Sequence, residues 1–170
     1  MPTLEERVQV IEDREEIRRL KGMYARYTDA KYDLDGIVSL FTEDAVFDCT
    51  DFGAYQGHEA IREYYGVMQK NLTFTVHYHA DEIIDIDPSG ETATGSCYFL
   101  DFETVQGQPL LVAGTYEDQY KKVDGKWKVA HMKVNFLFRI DWNSDWVKER
   151  LVSGNTFLEG SESIPRYEQA

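Results

Sequence analysis

Cysteine is scarce in this 170-residue chain, which holds only Cys49 and Cys97. With no CxxC pair and no histidine at zinc-finger spacing, neither a disulfide framework nor a structural zinc site is indicated, and reduced thiols in a cytoplasmic protein are expected. Long apolar runs are also missing. No stretch approaches the roughly 18 residues of a membrane span, and the charged segment from Met1 to Leu20 has no signal-peptide core. Basic residues are few, 18 against 31 acidic ones, for a formal net charge of −13. That sign repels phosphate backbones and anionic headgroups, so nucleic acid and membranes are not expected partners. No linker, repeat or low-complexity stretch divides the chain. The expectation is one domain over residues 1–141, followed by an extension, 142–170, that acts as a lid or an oligomer contact.

Aromatic residues, by contrast, are plentiful: three Trp, 11 Tyr and 9 Phe. They suit either a sheet-rich core or an aromatic-lined cavity. Leu4, Val8, Ile11, Ile17, Leu20, Met23, Tyr24 and Tyr27 recur at helical spacing and predict a long first helix to Ala30, with a possible break near Asp13. Asp33 caps a second helix through Phe41, a strand runs from Ala45 to Thr50, and Gly53 and Gly57 bracket a loop. A third helix follows over His58 to Gln69. After Asn71 the period becomes strand-like, giving Leu72–Ile86, Glu91–Val105, Leu110–Val123 and Lys126–Asp141 with turn signals at 87–90, 107–109 and 124–125. The expected fold is α+β: a curved antiparallel sheet, a four-strand meander plus one short early strand, with three helices on one face. Such a cone opens into a pocket for a small organic ligand.

Asp29 closes the first helix. On its own it could cap a turn or pair with Lys31; beside an imidazole it would orient that ring as a general base. His77 is the candidate ring, sharing a strand face with Thr75, His79 and Asp81. The pair His77 and His79 also allows a metal reading, but His58 and His131 lack the spacing to complete a site, and no metal or cofactor is expected. Asp101 interrupts the apolar strand Cys97–Phe102; if buried, desolvation would raise its pKa and suit it to donate a proton. Tyr24 could hydrogen-bond a substrate oxygen. On the last strand Ala130, Met132, Val134, Phe136 and Phe138 form an apolar face expected to line the cone, opposite a mixed face with His131 and Arg139. Tyr27, Tyr55, His79, Phe99, Met132, Val134 and Phe136 are the expected pocket residues.

These motifs carry a resemblance. Leu4-Glu-Glu-Arg-Val8 with Ile17-Arg-Arg-Leu-Lys-Gly-Met-Tyr24, then Gly53-Ala-Tyr-Gln-Gly57, Thr75-Val-His-Tyr78 and Asp124-Gly-Lys-Trp-Lys128 resemble the SnoaL-like branch of the nuclear transport factor 2-like superfamily. The bile acid 7α-dehydratases, hexachlorocyclohexane dehydrochlorinases and scytalone dehydratases belong to that group. The resemblance implies a cofactor-free lyase, typically a homotrimer, with Tyr24, Asp29, His77 and Asp101 as its catalytic set. Ketosteroid-type isomerases, polyketide cyclases and non-catalytic binders share the cone and are the alternative readings. It also implies an arginine on the inner face of the last strand. Met132 and Phe136 stand at the matching positions, and Arg139 has the wrong parity unless a bulge intervenes. A neutral, apolar, cyclic substrate is therefore expected.

Overall fold

A computed structural model describes residues 1–145, 147 and 148. Helix α1 (Leu4–Asp29) starts at a capping box, in which the Glu6 amide donates to the Thr3 hydroxyl and the Thr3 amide to the Glu6 carboxylate. It runs unbroken through Asp13. Helix α2 (Leu34–Ser39) is capped by Asp33 and ends two residues before Phe41, which opens strand β1 (Phe41–Asp48). Strand β1 thus begins four residues before the expected Ala45 and ends before Thr50, which opens a 3-10 turn (Thr50–Phe52). The segment read as a loop between Gly53 and Gly57 holds a short strand β2 (Ala54–Gln56) leading into α3 (Gly57–Asn71). The meander is β3 (Leu72–Ile86), β4 (Thr92–Val105), β5 (Gln108–Val123) and β6 (Lys126–Asp141). Its β4–β5 turn falls on Gln106 and Gly107, one residue earlier than the sequence suggests. There the positive φ values of 49° and 84° match a tight hairpin turn.

The six strands form one curved, unclosed sheet in the order β2-β1-β6-β5-β4-β3. All neighbours are antiparallel except β1 and β6, which run parallel, so the sheet is mixed and not purely antiparallel. Local residue pattern says nothing about which distant strand β1 joins. The helices cover the concave face, and the core lies between them and the sheet.

Three bulges decide which side chains point into the cone. On β3 the register shifts between Ala80 and Ile83, where Asp81 has a φ of 55°. Asp81 is consequently exposed, away from His77 and His79, and Glu82 and Ile84 take over the inner face. On β6 Ala130 and Leu137 are the extra residues. Each flips the alternation, so the inner face reads Trp127, Val129, Met132, Val134, Phe136 and Arg139. Ala130 and Phe138 leave the predicted apolar face, and Arg139 joins the interior.

Buried charge also fixes how α1 lies on the sheet. Asp13 accepts from the Trp127 indole (2.8 Å) and pairs with Lys122 (2.8 Å). Two turns on, the Lys21 ammonium lies 2.9 Å from Asp118 Oδ2 and 3.6 Å from the centre of the Tyr116 ring. Helix and β5 thus exchange signs: acid on α1 with base on β5, then base with acid. Sliding α1 would leave these charges buried without partners, a penalty that specifies its position.

Candidate active site

Asp29 is the last residue of α1, where the helix dipole disfavours a carboxylate. Donors from β3 offset that cost. The His77 amide donates to both carboxylate oxygens (3.2 and 3.3 Å), and the Thr75 hydroxyl lies 3.4 Å from Oδ1. His77 Nδ1 is 2.7 Å from Asp29 Oδ1. An ionised carboxylate only accepts, so Nδ1 carries the proton and Nε2 presents its lone pair.

Directly across the strand pair, Asp101 Oδ2 lies 3.6 Å from His77 Nε2. Asp101 is 3% exposed, and among the described residues nothing hydrogen-bonds its Oδ1. Burial pushes its carboxyl up to about 8, against the pull of His77. Burial alone would lower the His77 imidazole, but Asp101 and Asp29 outweigh it, and the net shift is upward from 6.5. The two groups titrate as a coupled pair. In one of its singly protonated forms, a neutral imidazole stands beside a neutral carboxylic acid.

His77 and Asp101 open on a hollow of about 60 Å³, room for a few waters. Tyr24 lines it, its hydroxyl 2.9 Å from that of Tyr65, and Tyr116 stands at 6.0 Å in an edge-on ring contact. Burial raises all three phenols, so they serve as neutral hydrogen-bonding groups. Tyr32 joins the wall from a strained turn, for it and Lys31 both hold left-handed φ values (54° and 58°). Of the expected pocket residues, Phe99, Val134 and Phe136 line the hollow. The other four lie outside its wall. Met132 and Tyr55 are fully buried in the core, the latter donating its hydroxyl to the Phe52 carbonyl. Tyr27 packs against Gly36. His79 sits behind Tyr24 and Tyr116, where burial, Lys21 and His77 press its ring down to about 3.

Sequence reasoning missed Glu103 and admitted Arg139 only through a bulge, which the structure has; both line the hollow. Burial pulls Arg139 down to about 10. A skipped beat on β6, apolar residues at 127 and 129 and then at 132, 134 and 136, marks the bulge at Ala130, but no such signal marks the one at Leu137 that turns Arg139 inward. Trp142, which the sequence reading sets either as a lid on the mouth or as a contact to a neighbouring copy, is exposed with its ring 6.2 Å from Phe102, while Trp146 and Leu151 lie outside the described residues. Among the described residues no group of three His, Cys, Asp or Glu is placed to hold a metal, and no helix is long and apolar enough to cross a membrane. Both cysteines are buried, and the Tyr64 hydroxyl donates to Cys49 Sγ at 3.5 Å.

Three helices on a curved, unclosed, mixed six-stranded sheet are consistent with the cone fold of nuclear transport factor 2-like proteins. A family model described as a SnoaL-like domain matches residues 9–133, and the chain belongs to that family. No curated protein matches the chain by sequence. Among solved structures, a protein provisionally described as an aromatic ring hydroxylase from Novosphingobium aromaticivorans is 30% identical. The match covers 77% of this chain and 94% of that one, with a TM-score of 0.72. A hexachlorocyclohexane dehydrochlorinase (LinA) Type2 superposes with a TM-score of 0.75 at 20% identity, over 81% and 94% of the two chains. A protein provisionally described as a scytalone dehydratase, also from N. aromaticivorans, gives 0.73 at 19%, over 81% and 92%. The last two likenesses establish the fold.

Proposed function

We propose that this chain is a cofactor-independent lyase of the dehydratase type acting on a small cyclic substrate. The observation that carries this reading is the imidazole held by Asp29 at 2.7 Å, with Nε2 facing both the hollow and Asp101. Neutral His77 removes a proton from carbon beside an activating group; that C–H pair becomes the new double bond as the C–O bond breaks. Asp101 protonates the departing hydroxyl, giving water. Base and acid finish as imidazolium and carboxylate, 3.6 Å apart, and a return of the proton from Nε2 to Oδ2 restores both. Because the two groups stand side by side on one wall, both reach the same face of the substrate, which favours syn elimination. Tyr24 supplies a hydrogen bond to the activating oxygen.

The binding-module reading would be favoured by a wide separation of Asp29 and His77, and their contact argues against it. Isomerisation is the second reading, favoured by the phenols and the neutral Asp101 that could share an enolate oxygen without a leaving group. The 30% relative's description points to aromatic-ring substrates, in keeping with the aromatic wall. Mass analysis of products from a panel of cyclic β-hydroxy ketones separates these possibilities. Loss of water supports elimination, unchanged mass supports isomerisation, and a gained oxygen atom would overturn both. A homotrimer is the assembly we favour. The outer face of the sheet carries Phe74, Tyr78 and Tyr98, each more than half exposed, as a surface for joining copies, and light scattering tests it.

A further inference from the structure

Glu103 and Arg139 line the hollow without a part in the proposed chemistry. They occupy neighbouring inward rows of the sheet. Arg139 ends the row His77, Asp101, Val112, Arg139, and Glu103 stands in the next row between Thr75 and Leu110. Their Cα atoms are about 12 Å apart by sheet spacing, a gap that a glutamate and an arginine side chain can close between them. Across β5 the intervening residues are Val112 and Leu110, both buried and apolar, so neither offers a competing polar group. Each charge bears on the other: burial raises the Glu103 carboxyl and Arg139 opposes the rise, while burial lowers Arg139 and Glu103 opposes the fall.

A lone arginine in such a hollow would recruit an anion. We infer that Glu103 is a specificity-determining residue that serves Arg139 as an internal counter-ion, so that the hollow admits uncharged polar ring compounds and disfavours carboxylates of the same shape. This deepens the reading of the hollow as a small-molecule site and rests on it, but it does not depend on lyase chemistry. The neutral substrate expected from sequence is retained for a different reason. The cation is present, and its charge is already answered.

Three flat probes of one shape test the inference by calorimetry near pH 7: benzamide, benzoate and benzamidinium. Wild-type protein should prefer benzamide to benzoate. Glu103→Gln should raise the benzoate-to-benzamide affinity ratio by about tenfold or more, as expected when a like charge is removed from a partly buried site. The reciprocal variant, Arg139→Met, leaves Glu103 unanswered and should raise the benzamidinium-to-benzamide ratio by a similar factor, so the test survives if one variant fails to fold. Unchanged ratios in the folded variants, or a hollow that takes none of the probes, would overturn the inference. The probes are bound and not turned over. A failed lyase assay therefore leaves the ratios standing, and flat ratios leave the His77 dyad standing.

Discussion

The cone holds two sets of charged side chains on its inner surface, and they have opposite characters. Toward the start of α1, Asp13, Lys21, Asp118 and Lys122 form two buried ion pairs, with Tyr120 donating to Asp118 at 2.7 Å. Toward the end of α1, Asp29 is tied to His77, while His77 and Asp101 line the hollow and, among the described residues, nothing hydrogen-bonds Asp101 Oδ1. The residue types are nearly the same. The difference is whether each charge is spent on a neighbour or directed at a space, and this is what separates a fastening from a candidate reaction centre.

Substitutions can break or sharpen that contrast. The largest effect expected is on turnover: His77→Ala or Asp29→Asn should lower the rate about 10²–10⁴-fold or more, with the melting temperature little changed. Near-normal turnover would remove the contrast altogether. Next, Lys21→Met should cost about 3–5 kcal/mol in denaturant unfolding, because Asp118 is left buried and unpaired. Lys21→Met combined with Asp118→Leu should recover much of it; a Lys21 variant of normal stability would mean that this pair is no fastening. Asp101→Asn should reduce turnover about 10²-fold. In the wild type the rate should climb as His77 loses its proton above pH 6.5 and decline as Asp101 loses its own near 8, and the Asn variant should lack the declining limb. Finally, Gly114→Ala should cost about 1–3 kcal/mol. A Cβ there would meet the Asn135 carbonyl and the ring of Phe99, which lines the hollow.

Much of the architecture could be read from periodicity, because the bulk of α1, α3 and the four meander strands each keep one period for many residues. The pairing of Asp29 with His77 could be anticipated because both sit at unambiguous places, a helix end and a regular strand. What escaped was whatever depends on an inserted residue. Leu137 carries no mark of a bulge and Ala130 only a skipped beat in the apolar pattern, yet each reverses the side on which later residues lie. Two of the five residues assigned to the apolar face of β6, Ala130 and Phe138, therefore leave it, and Arg139 enters the cone through the bulge that its parity required. Glu103 escaped for another reason: at the end of an apolar strand, one acid looks like the beginning of solvent. The parallel joining of β1 to β6 brings together residues 85 to 88 positions apart, with nothing local to announce it.

Helix α1 bears both sets. Asp13 and Asp29 lie about 24 Å apart along its axis, at 1.5 Å per residue. The rod is clamped at one end by paired charges and delivers the orienting carboxylate at the other. Damage to the clamp should therefore appear as a misaimed imidazole, and a survey of impaired variants should find defects in turnover arising up to about 24 Å along the helix from the orienting carboxylate.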